Sequence, residues 1–131
     1  MPYTYLPEEN VIFISCQGEL TLPDIADYCS RIQEDPSIPN GAAEFVDLSG
    51  ITHFNLEPAE IGNMPNLYSP ARARKSISAT IHLGASEINA GLTKFIEAYF
   101  RKHIPDHPIH TVQTYNQALQ VLREIREERE N

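Results

Sequence analysis

Short apolar runs rich in β-branched and aromatic residues alternate along this chain with segments of helical periodicity. Residues 11–16 form one such run, and in residues 76–83 apolar and small polar side chains alternate. Strand patterns separated by helix patterns require crossover connections between parallel strands. The sequence therefore predicts an α/β fold, a single domain over residues 1–131 with four helices and a mainly parallel sheet of four to five strands. Residues 126–131 are predicted to form a charged, frayed tail.

The stretch AAEFVDLSGITHFNL at residues 42–56 carries the most informative strand pattern. It begins as an apolar run and passes into DLSG, which is typical of a turn. We interpret it as a buried central strand that ends in a loop, at the sheet edge where ligands and partners usually bind. Asp47, Ser49 and Asn55 are therefore candidate binding residues. The alternative is that Asp47 and Ser49 only bind the amides of the turn.

Capping signals mark the starts of three helices. Thr21 precedes Pro23, which suits the first turn of a helix. Ser86 is predicted to cap a long helix, and Thr114 forms a capping box with Gln117. Aromatic residues of the last two helices, Phe95 and Tyr115 among them, fit core-facing positions.

A further helix is predicted to start at Pro58 and to be short. Gly62, Pro65 and Pro70 all work against its continuation. Residues 63–75 are therefore predicted to be irregular.

Composition excludes several classes of protein. The formal net charge of −8 argues against nucleic-acid binding, which needs a surplus of basic residues. The start of the chain lacks a signal-peptide pattern, and no apolar run approaches the roughly 18 residues of a membrane span. We therefore expect a cytoplasmic, non-membrane protein. Cys16 and Cys29 fall in apolar patterns and are predicted to be buried thiols.

Charged residues provide two further candidate sites. Glu57 and Glu60 are three residues apart, so that a carboxylate pair on one helix face is feasible. The favoured alternative is that they are surface glutamates that compensate the helix dipole. Arg72, Arg74 and Lys75 form a local positive spot that suits a phosphate or carboxylate, unless they are only solvated. Tyr68 is the aromatic residue that fits no helix core face, which makes it a candidate to line a cavity.

Motifs of metal or cofactor chemistry are missing from the sequence. His103, His107 and His110 are interrupted by Pro105 and Pro108 and do not share a helix face, so no metal site is predicted. Walker, dinucleotide-binding, zinc-protease and nucleophile-elbow motifs do not occur. We predict no cofactor and no enzymatic activity.

The DLSGI sequence at residues 47–51 resembles the strand ending DLSGV of the SpoIIAA-like STAS family, which includes bacterial anti-sigma-factor antagonists. GELT at residues 18–21 and ALQVL at residues 118–122 resemble a divergent subgroup, which has been compared with lipid-binding CRAL-TRIO domains. The resemblance spans residues 10–125 and implies a SpoIIAA-like fold. Asn55 stands where the family has an aspartate, and Glu57 where it has its phosphorylatable serine, so the resemblance implies no phosphorylation switch here.

The resemblance and the residues together support three hypotheses. The first is a non-enzymatic regulatory module that binds a protein partner at the edge formed by residues 47–60. The second is a binder of a small apolar or lipid-like ligand, with its anionic head near Arg72 and Arg74 and its apolar part between residues 63–75 and the long helix that follows. An enzyme is third. Pairing into a homodimer is a further expectation that the sequence leaves open.

Overall fold

The computed structural model describes residues 1–84 and 87–130, except for the side chains of residues 54, 87–93 and 129–130. Five strands of these residues form one sheet in the order β1-β2-β3-β4-β5, in which only the β1–β2 pair is antiparallel. This confirms the predicted α/β fold with a mainly parallel sheet. The strands are Tyr3–Leu6 (β1), Val11–Thr21 (β2), Ala43–Asn55 (β3), Thr80–Leu83 (β4) and Ile109–Val112 (β5). The helices are Leu22–Glu34 (α1), Pro58–Lys75 (α2), Glu87–His103 (α3) and Tyr115–Glu130 (α4).

The helices divide unequally between the two faces of the sheet. Each crossover from β2 to β5 moves one strand in the same direction, and right-handed crossovers then place α1, α2 and α3 on one face. Ile25, Met64 and Ile96 of these helices share a core with Ile14 of β2. On the other face, α4 packs through Ala118 over a second core. β4 and the first half of β3 are therefore covered on both sides.

The prediction that the central strand ends in a loop at DLSG is wrong. β3 continues through DLSG to Asn55. It pairs with β2, which also runs beyond the apolar run of residues 11–16, as far as Thr21. The turn-like residues are accommodated as β-bulges. The register between β2 and β3 shifts twice, which is how such bulges appear in a strand pair. Gly50 lies at such a close approach that an added Cβ would stand 2.9 Å from the Cys16 carbonyl oxygen. Gly18 adopts a φ of 72°, which favours glycine.

The prediction that the helix after Pro58 is short, and that residues 63–75 are irregular, is also wrong. The segment is one helix with Pro65 and Pro70 inside it. Burial of Met64 and Ala71 against the core outweighs the backbone hydrogen bonds that the prolines remove. The helix ends at Lys75 and is capped by Ser76, whose φ of 51° is left-handed.

Two further expectations need correction. The predicted strand at residues 76–83 forms only at residues 80–83, where both faces rather than one are buried. Phe95 and Tyr115 are 52% and 54% exposed instead of lying in the core. Both belong to amphipathic helices, but they lie at the margin of the buried stripe. The predicted cap Ser86 lies outside the described residues.

Local capping chemistry follows the sequence closely. The Thr21 hydroxyl accepts from the Asp24 backbone N–H at 3.4 Å, and Asp24 accepts in return from the Thr21 amide at 3.1 Å. Thr114 and Gln117 form the predicted reciprocal pair, with both bonds at 3.1 Å.

Both cysteines are buried free thiols, as expected. No helix in the described part of the chain is long and apolar enough to cross a membrane.

Candidate functional site

A carboxylate lies in the middle of the sheet, on the face covered by α1, α2 and α3. Side chains alternate along β3, so Glu44 projects to the same face as Val46 and Leu48. Its register partners are Ile12 on β2 and Thr80 on β4. Only 1% of Glu44 is exposed, which is unusual for an acidic residue and calls for partners.

Hydroxyl groups from three different elements converge on this carboxylate. Tyr28 of α1 donates to Glu44 Oε2, and Tyr68 of α2 donates to Oε1. The Thr80 hydroxyl of β4 donates to Oε1 at 2.8 Å. His107, between α3 and β5, places Nε2 2.7 Å from Thr80 Oγ1 and 3.2 Å from the Tyr68 hydroxyl. We refer to these five residues as the Glu44 cluster.

The proton positions in the Glu44 cluster follow from counting donors. Each hydroxyl supplies one proton, and a neutral His107 supplies one more. If that proton is on Nε2, Thr80 accepts from His107 and donates to Glu44, while Tyr28 and Tyr68 also donate to the carboxylate. His107 Nδ1, which has no partner among the described residues, is then an acceptor rather than the rarer orphan N–H donor. The cluster thus links His107 to Glu44 through Thr80.

Burial sets the proton affinities of the Glu44 cluster. It raises the pKa of the Glu44 carboxyl, and the hydrogen bonds from the three hydroxyls oppose that rise. It also raises the pKa of Tyr28 and of Tyr68 well above the usual tyrosine range, with the nearby Glu44 charge adding to the effect. Burial lowers the pKa of His107 to about 4, so its imidazole is neutral near pH 7.

A cavity of about 80 Å³ lies beside the Glu44 cluster, between the sheet and α1, α2 and α3. Its polar lining comes from Glu44, Tyr28, Tyr68, Thr80 and His82. The remaining lining is apolar or sulfur-containing and comes from Met1, Cys16, Leu20, Ile25, Cys29, Val46, Leu48, Met64, Ile96, Phe100 and Ile109. We name this space the central cavity. An apolar space with a few convergent polar groups is the usual form of a small-molecule site.

His82 is a buried histidine that also lines the central cavity. It lies on β4 two residues after Thr80 and pairs in register with Val46. Its side chain is buried, and Nδ1 has no hydrogen-bond partner within the described part of the chain. Burial lowers the pKa of His82 to about 4, while Glu97 of α3 opposes the shift. His82 therefore brings a neutral imidazole to the cavity near pH 7.

Asp47 and Ser49, two of the predicted site residues, lie in mid-strand rather than in a loop. The Asp47 carboxylate accepts from the Ser49 amide at 2.9 Å and from the Ser49 hydroxyl at 2.5 Å. This is the turn-type hydrogen bonding that the sequence indicates, but it occurs within a β-bulge. Neither residue lines the central cavity.

The other acidic and amide candidates lie beyond the bulge, near the surface. Asn55 donates to the Glu19 carboxylate at 2.6 Å. Glu60 accepts from the Glu57 backbone N–H at 2.9 Å and so caps the start of α2. Glu57 is exposed. The structure thus brings Asn55, Glu57 and Glu60 to one end of the molecule, away from the central cavity.

Tyr68 is the predicted site residue that does reach the central cavity. Its hydroxyl belongs to the Glu44 cluster, and its ring packs against Phe100 of α3 with centroids 5.6 Å apart. α2, the segment expected to be irregular, covers the cavity through Tyr68 and Met64.

The three basic candidates on α2 do not form one anion site. Lys75 is buried and donates to two backbone carbonyl oxygens in the segment after α1, at 2.7 and 3.0 Å. Arg74 donates to the Gln33 carbonyl oxygen at 3.1 Å. Arg72 is half-buried, and its charge contributes to the lowered pKa of His107. Two of the three cations thus bind backbone carbonyls.

Comparison with solved structures gives one informative similarity. An uncharacterized protein of the DUF3478 family from Shewanella loihica PV-4, with a SpoIIAA-like fold, is 13% identical to this chain. The match covers 86% of this chain and 83% of that one, with a TM-score of 0.55. The fold is SpoIIAA-like. No protein-family model matches the sequence, and a search of curated proteins finds no significant match.

The residues that line the central cavity of this SpoIIAA-like fold were largely missed by sequence reasoning. Glu44 stands within an apolar run, and a lone acid in a buried strand pattern is the signal that could have found it. His82 and Thr80 lie on the strand face expected to be less buried. Tyr28 and His107 join the cluster from distant segments, for which no local pattern exists. Among the described residues, no group of histidine, cysteine or acidic side chains suits a metal ion.

Proposed function

We propose that this SpoIIAA-like protein is a non-enzymatic binding module that takes a small, mainly apolar molecule in the central cavity. The observation that supports the proposal is the cavity itself, an apolar space covered by three helices with hydrogen-bonding groups along the sheet. Well-packed domains leave few voids larger than a water molecule. The polar groups would orient the ligand, and the apolar lining would supply most of its affinity.

The size and chemistry of the cavity limit the ligand. A volume of about 80 Å³ has room for about six water-sized groups. A short-chain molecule fits this space, whereas a full-length lipid chain does not. Among the described residues that line it there is no lysine or arginine, so the anionic head expected from the sequence has no counter-ion there.

Filling the cavity tests the proposal. Val46 is a half-buried lining residue on β3, and Val46→Phe adds a ring to the space beside His82. We expect this variant to abolish binding of a short alcohol such as butan-1-ol, followed by chemical-shift changes of cavity residues. Overpacking is expected to lower the free energy of unfolding by about 1–3 kcal/mol.

Val121→Phe is the matched control. Val121 is also a half-buried valine, but it lies on α4 against the opposite face of the sheet. It should keep wild-type binding. The proposal fails if the wild-type protein binds no short-chain molecule of this size, or if Val46→Phe and Val121→Phe bind the probe equally.

A second candidate function is a protein-interaction module of the STAS type. Exposure of Ser49, Asn55 and Glu57 along the end of β3 and the start of α2 favours it. These residues occupy the segment that resembles the strand ending and the next helix start of that family, where its regulatory serine lies. Glu57 in place of a serine would fix the charge of this surface. Self-association through the edge strands β1 or β5 also stays a prediction.

A binding experiment separates this second candidate from the first. If the surface binds a protein, the double variant Asn55→Ala/Glu57→Ala should lose capture of a partner identified by cross-linking. Glu8→Ala, another exposed acid on a different loop, should retain it. Unchanged capture by the double variant would show that this end of the molecule is not the interface.

A further inference from the structure

The Glu44 carboxylate has no cationic partner in the described structure. Buried charges in proteins are normally paired, because an unpaired one loses its hydration without compensation. The ion pairs between described side chains are Arg31–Asp27 and Arg101–Glu97, and neither involves Glu44. Its partners are three neutral hydroxyl groups, and their hydrogen bonds do not fully offset the loss of water. The site thus holds an acid without its counter-charge.

An unpartnered acceptor lies beside this acid. His82 Nδ1 has no partner among the described residues, and His82 lines the same cavity as Glu44. Thr80 pairs with Glu44 and His82 with Val46, so Glu44 and His82 are diagonal neighbours on one face of adjacent parallel strands. Strand geometry separates their Cβ atoms by roughly 8 Å. The two side chains thus project from the same face of the sheet into one cavity, where a small polar group can lie between them.

We propose that the ligand of the central cavity is a small primary amine bound as its ammonium ion, with the nitrogen between the Glu44 carboxylate and His82 Nδ1. This inference rests on the proposed function, because it names the chemical class of the molecule that the cavity takes. The ammonium supplies the counter-charge that Glu44 lacks. The apolar lining from Val46, Leu48 and Phe100 takes the alkyl part.

The hydrogen-bond inventory of the cavity matches an ammonium group. Such a group presents three N–H donors and no acceptor. Glu44 accepts three hydroxyl hydrogen bonds and keeps further lone-pair capacity. The lone pair of His82 Nδ1 is available in the tautomer with its proton on Nε2, and the Tyr28 oxygen can accept a third bond. Full satisfaction of the donors is what makes a desolvated ion pair stable.

Competing ligand chemistries fit less well. A carboxylate or phosphate would face the Glu44 charge at short range, and no cation among the lining residues described here would compensate it. A neutral alcohol can donate one hydrogen bond to His82 Nδ1 or to Glu44, but it brings no positive charge to balance the Glu44 carboxylate. The cavity should therefore rank amines above alcohols, and alcohols above acids.

A titration with three matched probes tests this order. Butylamine, butan-1-ol and butyrate share a short chain and differ in the head group. We expect butylamine to bind at least about tenfold more tightly than butan-1-ol at neutral pH, and butyrate to bind most weakly. In Glu44→Gln, which removes the charge and keeps the shape, the amine and the alcohol should bind within about threefold of each other. Glu57→Gln, at an exposed glutamate, is the control and should keep the wild-type order.

The outcomes separate the two proposals. Equal binding of amine and alcohol by the wild-type protein, or tighter binding of butyrate, overturns the amine assignment but leaves a cavity that binds small molecules. Failure of all three probes to bind overturns both. The wild-type ranking decides the point even if Glu44→Gln does not fold, because it needs no variant. Equal selectivity in folded Glu44→Gln and wild type would show that Glu44 is not the counter-charge.

Discussion

Glu44 lies where the sheet on one side and α1, α2 and α3 on the other exclude water. The free energy lost by burying its carboxylate is recovered only in part, through hydrogen bonds that three other elements supply. Each of those hydroxyls would itself be costly to bury without an acceptor. The members of the Glu44 cluster therefore depend on one another, and the loss of one leaves hydrogen-bonding groups of the others unsatisfied.

His82 makes stability depend on pH. Its pKa of about 4 in the folded protein lies below the value of 6.5 that applies to the unfolded chain. The unfolded state therefore takes up more protons as the pH falls, and the folded state loses stability between these two pKa values. From about pH 7 to about pH 5 this amounts to about 2 kcal/mol. His107 acts in the same direction, whereas the raised pKa of Glu44 favours the folded state as the pH falls.

Replacing His82 should flatten this dependence. In His82→Leu we expect the loss of unfolding free energy from about pH 7 to about pH 5 to be smaller than in the wild type by about 2 kcal/mol. Urea denaturation at the two pH values measures it. His53→Leu, at an exposed histidine of β3, is the control and should keep the wild-type slope. Identical slopes in wild type and His82→Leu would contradict the assignment.

At the scale of elements, α2 joins the surface to the central cavity. Tyr68 stands between Pro65 and Pro70, so the residue that completes the Glu44 cluster lies in the part of the helix with the weakest backbone bonding. The helix nevertheless forms, because Met64, Ala71 and the Tyr68 ring are held by the core. Tertiary packing here overrides local preference.

Removing Pro70 should stabilise α2. Pro70 is exposed, so its ring adds little burial, and an alanine restores a backbone N–H inside the helix. We expect Pro70→Ala to raise the free energy of unfolding by about 1–3 kcal/mol, measured by urea denaturation. Pro58→Ala is the matched control at the first helical position, where proline is well tolerated, and should change stability little. A destabilised Pro70→Ala would indicate that the proline shapes the helix over the cavity.

At the scale of the whole molecule, the topology creates the cavity. Three successive right-handed crossovers place three helices on one face, and they enclose a space above the sheet. The opposite face has α4 as its cover, with a compact core of Phe45, Ile81 and Val112. β4 and the first half of β3 are therefore covered on both faces, and the Glu44 cluster forms on the face with three helices.

The alternation of strand and helix patterns was enough to predict the α/β class, and the DLSGI resemblance to predict the SpoIIAA-like fold. Capping residues such as Thr21 and Thr114 act through neighbours three residues away, so the sequence alone also determined where those helices start. The length of β3 and the continuation of α2 through its prolines depend on packing partners distant in the chain. Local sequence patterns therefore predicted both wrongly. The Glu44 cluster and its cavity were decided only by the tertiary structure, because their chemistry depends on which distant groups meet where water is excluded.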